Sequence, residues 1–147
     1  MQAVGDLSRF IQAQESVYLQ ALAEIRSGRK SSHWMWYVFP QLAGLGHSPI
    51  AQQNAINNVD EAAAYLAHPV LGARLVEITN ALLIQPSRDP SAIFGYPDDL
   101  KLCSCMTLFA RVPGSSGVFN RVIDELFAGQ PDQATLQLLG QDGGGMA

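Results

Sequence analysis

Two segments hold most of the residues that could do chemistry. The first, RSGRKSSHWMWYVFPQ over residues 26–41, sets Arg26, Arg29 and Lys30 just before Trp34, Trp36, Tyr37 and Phe39. Guanidinium and ammonium groups beside a helix start can hold an anion, because they add charge to free backbone N–H donors. Trp34 or Trp36 offers a flat wall for a ring, and His33 can donate, accept or move a proton near neutral pH. Gln41 adds an amide. A structural reading stands beside this one: the cations offset a helix C-terminal dipole and the tryptophans fill the core.

The second segment, DDLKLCSCMTLF over residues 98–109, reads as a helix with an acidic first turn. At about 100° per residue, Leu102, Cys105, Met106 and Phe109 share one apolar face. Ser104 and Thr107 form a separate polar strip beside Lys101, one that lines a pocket or faces water. Lys101 with Ser104 reverses the order of the Ser-x-x-Lys motif, and no oxyanion element accompanies it, so no catalytic set is complete. The chemistry expected of the two segments together is binding of a small polar anion, such as a nucleotide or sugar-phosphate. Lys30, His33, Trp34, Trp36, Gln41, Asp99, Lys101, Ser104 and Thr107 are the candidate residues.

Other chemistries find less support. His33, His47 and His68 are scattered, and Cys103 and Cys105 project about 200° apart on a helix, so no metal site is expected. Cys105 reads as a small buried apolar group, and His68, just before Pro69, as a cap at a helix start. No Gly-x-Gly-x-x-Gly follows a strand and no Walker loop occurs, so no cofactor is implied. Gly44 and Gly46 make a turn that can approach a ligand closely, although a plain loop explains them equally.

The elements that must position these residues are helical. Leu7, Phe10, Ile11, Tyr18, Leu22 and Ile25 form a stripe behind Asp6, a candidate N-cap, and Gly28 ends that helix. Ser31 or Ser32 caps a short helix over 34–39, ended by Pro40. Asn58 and Glu61 have capping-box spacing ahead of a helix through Ala67. Pro69 suits the first turn of a helix carrying Leu71, Leu75, Ile78 and Leu82. Ser115 or Ser116 opens a helix with Val118, Val122, Ile123 and Leu126, and a last one runs from Asp132 to Leu139. The expectation is an all-α, single-domain array of seven to eight helices over residues 1–139, without a substantial sheet, followed by a flexible tail over 140–147.

Composition sets the bounds. A chain of 147 residues suits one domain. It is 48% hydrophobic with net charge -4, which excludes disorder of the body. The pI of about 5.2 disfavours a nucleic-acid binder. The N-terminal residues lack a signal-peptide pattern, and the longest apolar run, 34–40, falls far short of the roughly 20 residues a membrane span needs. Two cysteines do not make a disulfide framework, so a cytoplasmic protein with reduced thiols is expected. The competing functional class is a non-catalytic helical adaptor that offers a neutral patch to a partner or to a second copy of the chain.

The segments DLSRFIQAQ (6–14), KSSHWMWYVFPQLAGLGHS (30–48), EAAAYLAHPVLGARLVE (61–77) and FGYPDDLKLCSCMTLF (94–109) occur in this order. Together they resemble the bacterial family known as domain of unknown function 1810, over about residues 6–139. The resemblance implies a cytosolic multihelical domain and brings no activity with it. It implies shared polar positions at Gln14, Lys30, His33, Trp34, Trp36, Gln41, Ser48, His68, Asp99, Lys101, Ser104 and Thr107. Two positions depart from its pattern: Cys105 stands where a small polar residue is expected, and Asn54 where a tyrosine is.

Overall fold

The computed structural model describes residues 7–140. Asp6 as a cap and the tail over 141–147 lie outside the described residues. Ten helices follow in order: α1 Ser8–Glu15, α2 Tyr18–Arg26, α3 Met35–Val38, α4 Pro49–Gln53, α5 Val59–Ala67, α6 Leu71–Leu83, α7 Pro90–Phe94, α8 Asp98–Ala110, α9 Val118–Leu126 and α10 Gln133–Leu139. The all-α class is as expected. The only β pairing among the described residues is an isolated parallel bridge between Leu42 and Ile56. None of these helices is long and apolar enough to cross a membrane.

The count exceeds seven to eight for two reasons. The stripe from Leu7 to Ile25, read as one helix, breaks at Ser16–Val17, because α1 packs on α3 while α2 packs on α6. A straight helix could not serve both. The very short α4 and α7 are the other additions, each opened by a side-chain cap followed by proline. Ser48 Oγ accepts from the Ala51 amide, and an Asp89 carboxylate oxygen accepts from the Ser91 amide.

Capping chemistry sets the longer elements. Asn58 accepts from the Glu61 amide at 2.8 Å, and Glu61 Oε1 reaches back to the Asn57 amide at 2.9 Å. The box thus closes one residue earlier than the usual pattern. Asp132 accepts from the Thr135 amide at 2.9 Å to open α10. His68 Nδ1 accepts from the Val70 and Leu71 amides at 3.1 and 3.3 Å, capping α6 as its position before Pro69 suggested.

The centre of the array is α8, which packs against α5, α7, α9 and α10. Every residue from Leu102 to Phe109 is buried, the condition of a helix enclosed on all sides. The polar strip beside Lys101 therefore faces neither water nor a pocket. Ser104 Oγ donates to the Leu100 carbonyl at 3.2 Å, and Thr107 Oγ1 accepts from the Asp132 amide at 2.9 Å, fastening the start of α10. Small hydroxyls satisfied in this way let an amphipathic-looking helix run through the interior. Around it pack Phe109 with Tyr65 and Phe119, at centroid separations of 5.3 and 5.8 Å. Cys105 is fully buried and Asn54 is buried with its amide on the Ile50 carbonyl, so both positions belong to the interior.

Candidate functional site

The site begins where α2 ends. Gly28, at φ +90°, takes the left-handed conformation that reverses the chain. Its amide donates to the Ile25 carbonyl and the Arg29 amide to the Glu24 carbonyl, at 2.9 and 3.1 Å, the paired bonds of a Schellman ending. Residues 29–34 then fold back along the last turn of α2, and one carboxylate holds them there. Glu24 accepts from the Ser31 and Ser32 amides at 2.8 and 3.0 Å, the Ser32 hydroxyl at 2.6 Å, the Trp34 indole Nε1 at 2.8 Å and the Gln20 amide at 3.1 Å. Burial by itself would raise its pKa, but these donors outweigh burial and hold the carboxyl at about 2. The serines read as a cap for 34–39 are thus committed to Glu24, and α3 starts without a side-chain cap.

Lys30 leaves this turn toward α8. Its amide donates to the Ile93 carbonyl at 2.7 Å, and its ammonium donates to the Ser32 carbonyl at 2.6 Å and lies 5.1 Å from the Trp34 ring centroid. The same ammonium meets Asp98 Oδ2 at 2.8 Å, while Lys101 Nζ meets Asp98 Oδ1 at 3.2 Å. One carboxylate therefore bridges two cations. The Lys30 side chain is 7% exposed and that of Lys101 25%, so Lys101 is the cation open to a visitor. Its ammonium also stands 4.6 Å from the Trp36 ring centroid.

Trp36 is placed by a close approach at Gly46. A Cβ on that glycine would fall 2.7 Å from Trp36 Cη2 and 2.6 Å from the Ala51 Cβ, so the loop after 41 seats the indole because position 46 has no side chain. The result is a half-open cleft of about 170 Å³. Lys30, His33, Asp98 and Lys101 are the charged and polar residues that line it, and Met35, Trp36, Tyr37 and Ile50 the apolar and aromatic ones.

Of the residues expected from sequence, Lys30, His33, Trp36 and Lys101 converge on this cleft. The others lie elsewhere. Trp34 is buried between Phe39 and Phe94 with its N–H on Glu24. Asp99 accepts from the Ser91 hydroxyl, joining α7 to α8. Ser104 and Thr107 serve the interior of α8. Gln41 is buried, and its carbonyl accepts from the Ile56 amide at 2.8 Å. Asp98 is the residue missed in favour of its neighbour, and the helical wheel could have found it. Asp98 sits about 60° from Lys101 and Asp99 about 160° away, so only the former can pair with it at i, i+3. Glu24 gave no signal, because its donors come from beyond the Gly28 reversal.

Among the described residues no group of three or more His, Cys, Asp or Glu side chains is placed to hold a metal ion. Burial pushes the Cys103 thiol up to about 11, with the Asp132 carboxylate adding to the rise, and burial raises Cys105 well above the ordinary thiol range. Neither is an activated nucleophile.

The comparisons agree with this architecture. A family model described as "Protein of unknown function (DUF1810)" matches residues 4–139. The crystal structure of the conserved hypothetical protein Rv1873 from Mycobacterium tuberculosis is similar at a TM-score of 0.90 and 48% identity, covering 92% of this chain and 96% of that one. A search of the curated proteins found no match. With the match spanning nearly all of the sequence, the chain belongs to the DUF1810 family.

Proposed function

We propose that the cleft between the 30–37 segment and the first turn of α8 binds a small anionic ligand. The observation that carries this reading is the convergence of the Lys30 and Lys101 ammonium groups on one carboxylate beside an open apolar wall. Two cations facing one acid leave a surplus positive charge, and Lys101 is exposed enough to give a hydrogen bond to an incoming anion. Lys30 is already committed to Ser32, Asp98 and the Trp34 face, so it supplies field and rigidity. His33, exposed at the rim, is a further donor or acceptor. The adaptor reading rests on exposed apolar side chains, and the most exposed, Leu19, Ile84 and Tyr96, belong to three separate parts of the chain.

Lys101→Ala is expected to weaken anion binding about 10- to 100-fold, the effect of losing one charge-assisted hydrogen bond. Titration followed by tryptophan fluorescence, with Trp36→Phe as the reporter control, measures it. Equal affinity in the wild type and the Lys101→Ala variant would remove the cleft as the binding site.

A further inference from the structure

We infer that the ligand of this cleft is a single-ring monocarboxylate, and that Asp98 selects it against phosphates. The inference rests on the anion-binding reading above and adds size and charge to it.

Size comes first. A cavity of about 150 Å³ holds one benzene ring, and this cleft offers about 170 Å³. A whole nucleotide needs the several hundred Å³ of a typical ligand pocket. One six-membered ring with a short anionic group matches the space available. The composition of the walls agrees: Met35, Trp36, Tyr37 and Ile50 offer apolar and aromatic surface to a ring, and Lys30, His33 and Lys101 offer donors to its substituent. Lys101 links the two sets, its ammonium on Asp98 and over the Trp36 ring. A ring against the apolar residues would thus carry its substituent to Lys101.

Charge then separates carboxylate from phosphate. Lys30 and Lys101 contribute two positive charges and Asp98 removes one. A monocarboxylate neutralises what is left. A phosphate monoester, close to a dianion at neutral pH, would overcompensate it and set its second charge against Asp98, whose two oxygens are already held facing the lysines. Like charges at such separation disfavour binding. Asp98 is therefore a specificity-determining residue, and it also keeps the two ammonium groups from repelling each other in the empty cleft.

The test is a titration panel on the full chain: benzoate and 4-hydroxybenzoate against acetate, inorganic phosphate, glucose 6-phosphate and AMP. Binding is read from tryptophan fluorescence and checked with the Lys101→Ala variant. The expected result is that the aryl carboxylates bind at least 10-fold more tightly than any phosphate and than acetate. Asp98→Asn should narrow or reverse the preference over phosphates. AMP or glucose 6-phosphate binding as tightly as the aryl carboxylates, and lost in Lys101→Ala, would overturn the inference while leaving the anion-binding cleft intact. Acetate matching benzoate would remove the ring. No binding by any member would overturn both readings. The wild-type panel decides even if the Asp98→Asn variant does not fold.

Discussion

Glu24→Ala is expected to lower folding stability by about 4 kcal/mol, since it strands several donors that a single carboxylate satisfies. The Trp34 indole N–H is buried too deeply for water to replace its partner, and the Ser31 and Ser32 amides lose the acceptor that folds their segment back on α2. For a domain of this length the loss corresponds to a drop in Tm of roughly 10 °C. Glu24→Gln keeps one oxygen acceptor and should cost about half as much. Chemical denaturation of both variants checks this, and a loss within about 0.5 kcal/mol of wild type would mean that the segment is held by something else.

The same carboxylate makes stability depend on pH. Its native value of about 2 lies below the ordinary 4.5, so the unfolded chain binds the proton more readily. The stabilisation is then complete above pH 4.5 and is lost as pH falls from there through about 2. Stability curves of wild type and Glu24→Gln should therefore converge as the solution is acidified across that window. Parallel curves would exclude Glu24 as the source.

Gly72→Ala is expected to destabilise by about 3 kcal/mol, although alanine is the better helix former by about 1 kcal/mol. Gly72 is buried in the first turn of α6, and a Cβ there would run into the Leu66 carbonyl oxygen of α5. The obstruction is backbone, so no side-chain rotation relieves it. The two helices must separate or α6 must unwind its first turn. A Tm decrease of several degrees in a thermal melt is the expected result. An unchanged or raised Tm would show that the α5–α6 contact can slide.

Much of the fold was legible wherever local chemistry decides. Asn58 and Asp132 cap because short polar side chains reach backbone amides two or three residues ahead, and Leu71, Leu75, Ile78 and Leu82 are all buried because one face of α6 meets the core. Periodicity misled where tertiary demand overrides it. The stripe through Leu7 and Ile25 continues across a break that only the packing of α1 and α2 on different partners explains. In α8, Ser104 and Thr107 looked like a surface because the helix wheel records polarity and not whether a partner is waiting. The site divided similarly. Lys30, His33, Trp36 and Lys101 were visible by type, whereas Asp98 needed the i, i+3 geometry and Glu24 needed the turn at Gly28.

The position of α8 also bears on how the cleft can respond to an occupant. Asp98 and Lys101 stand on the first turn of α8, whose following residues 102–109 are all buried, so that side is anchored to the core. The apolar and aromatic lining residues come from α3 and α4, of four and five residues, with a loop between them. Met35 and Val38 tie α3 to the core, whereas α4 buries only Ala51 and can open at lower free energy. The cleft thus joins a fixed charged anvil to an adjustable apolar jaw. Discrimination by charge would be set once, at folding, while discrimination by shape would be open to drift through changes around the exposed Ile50 of α4.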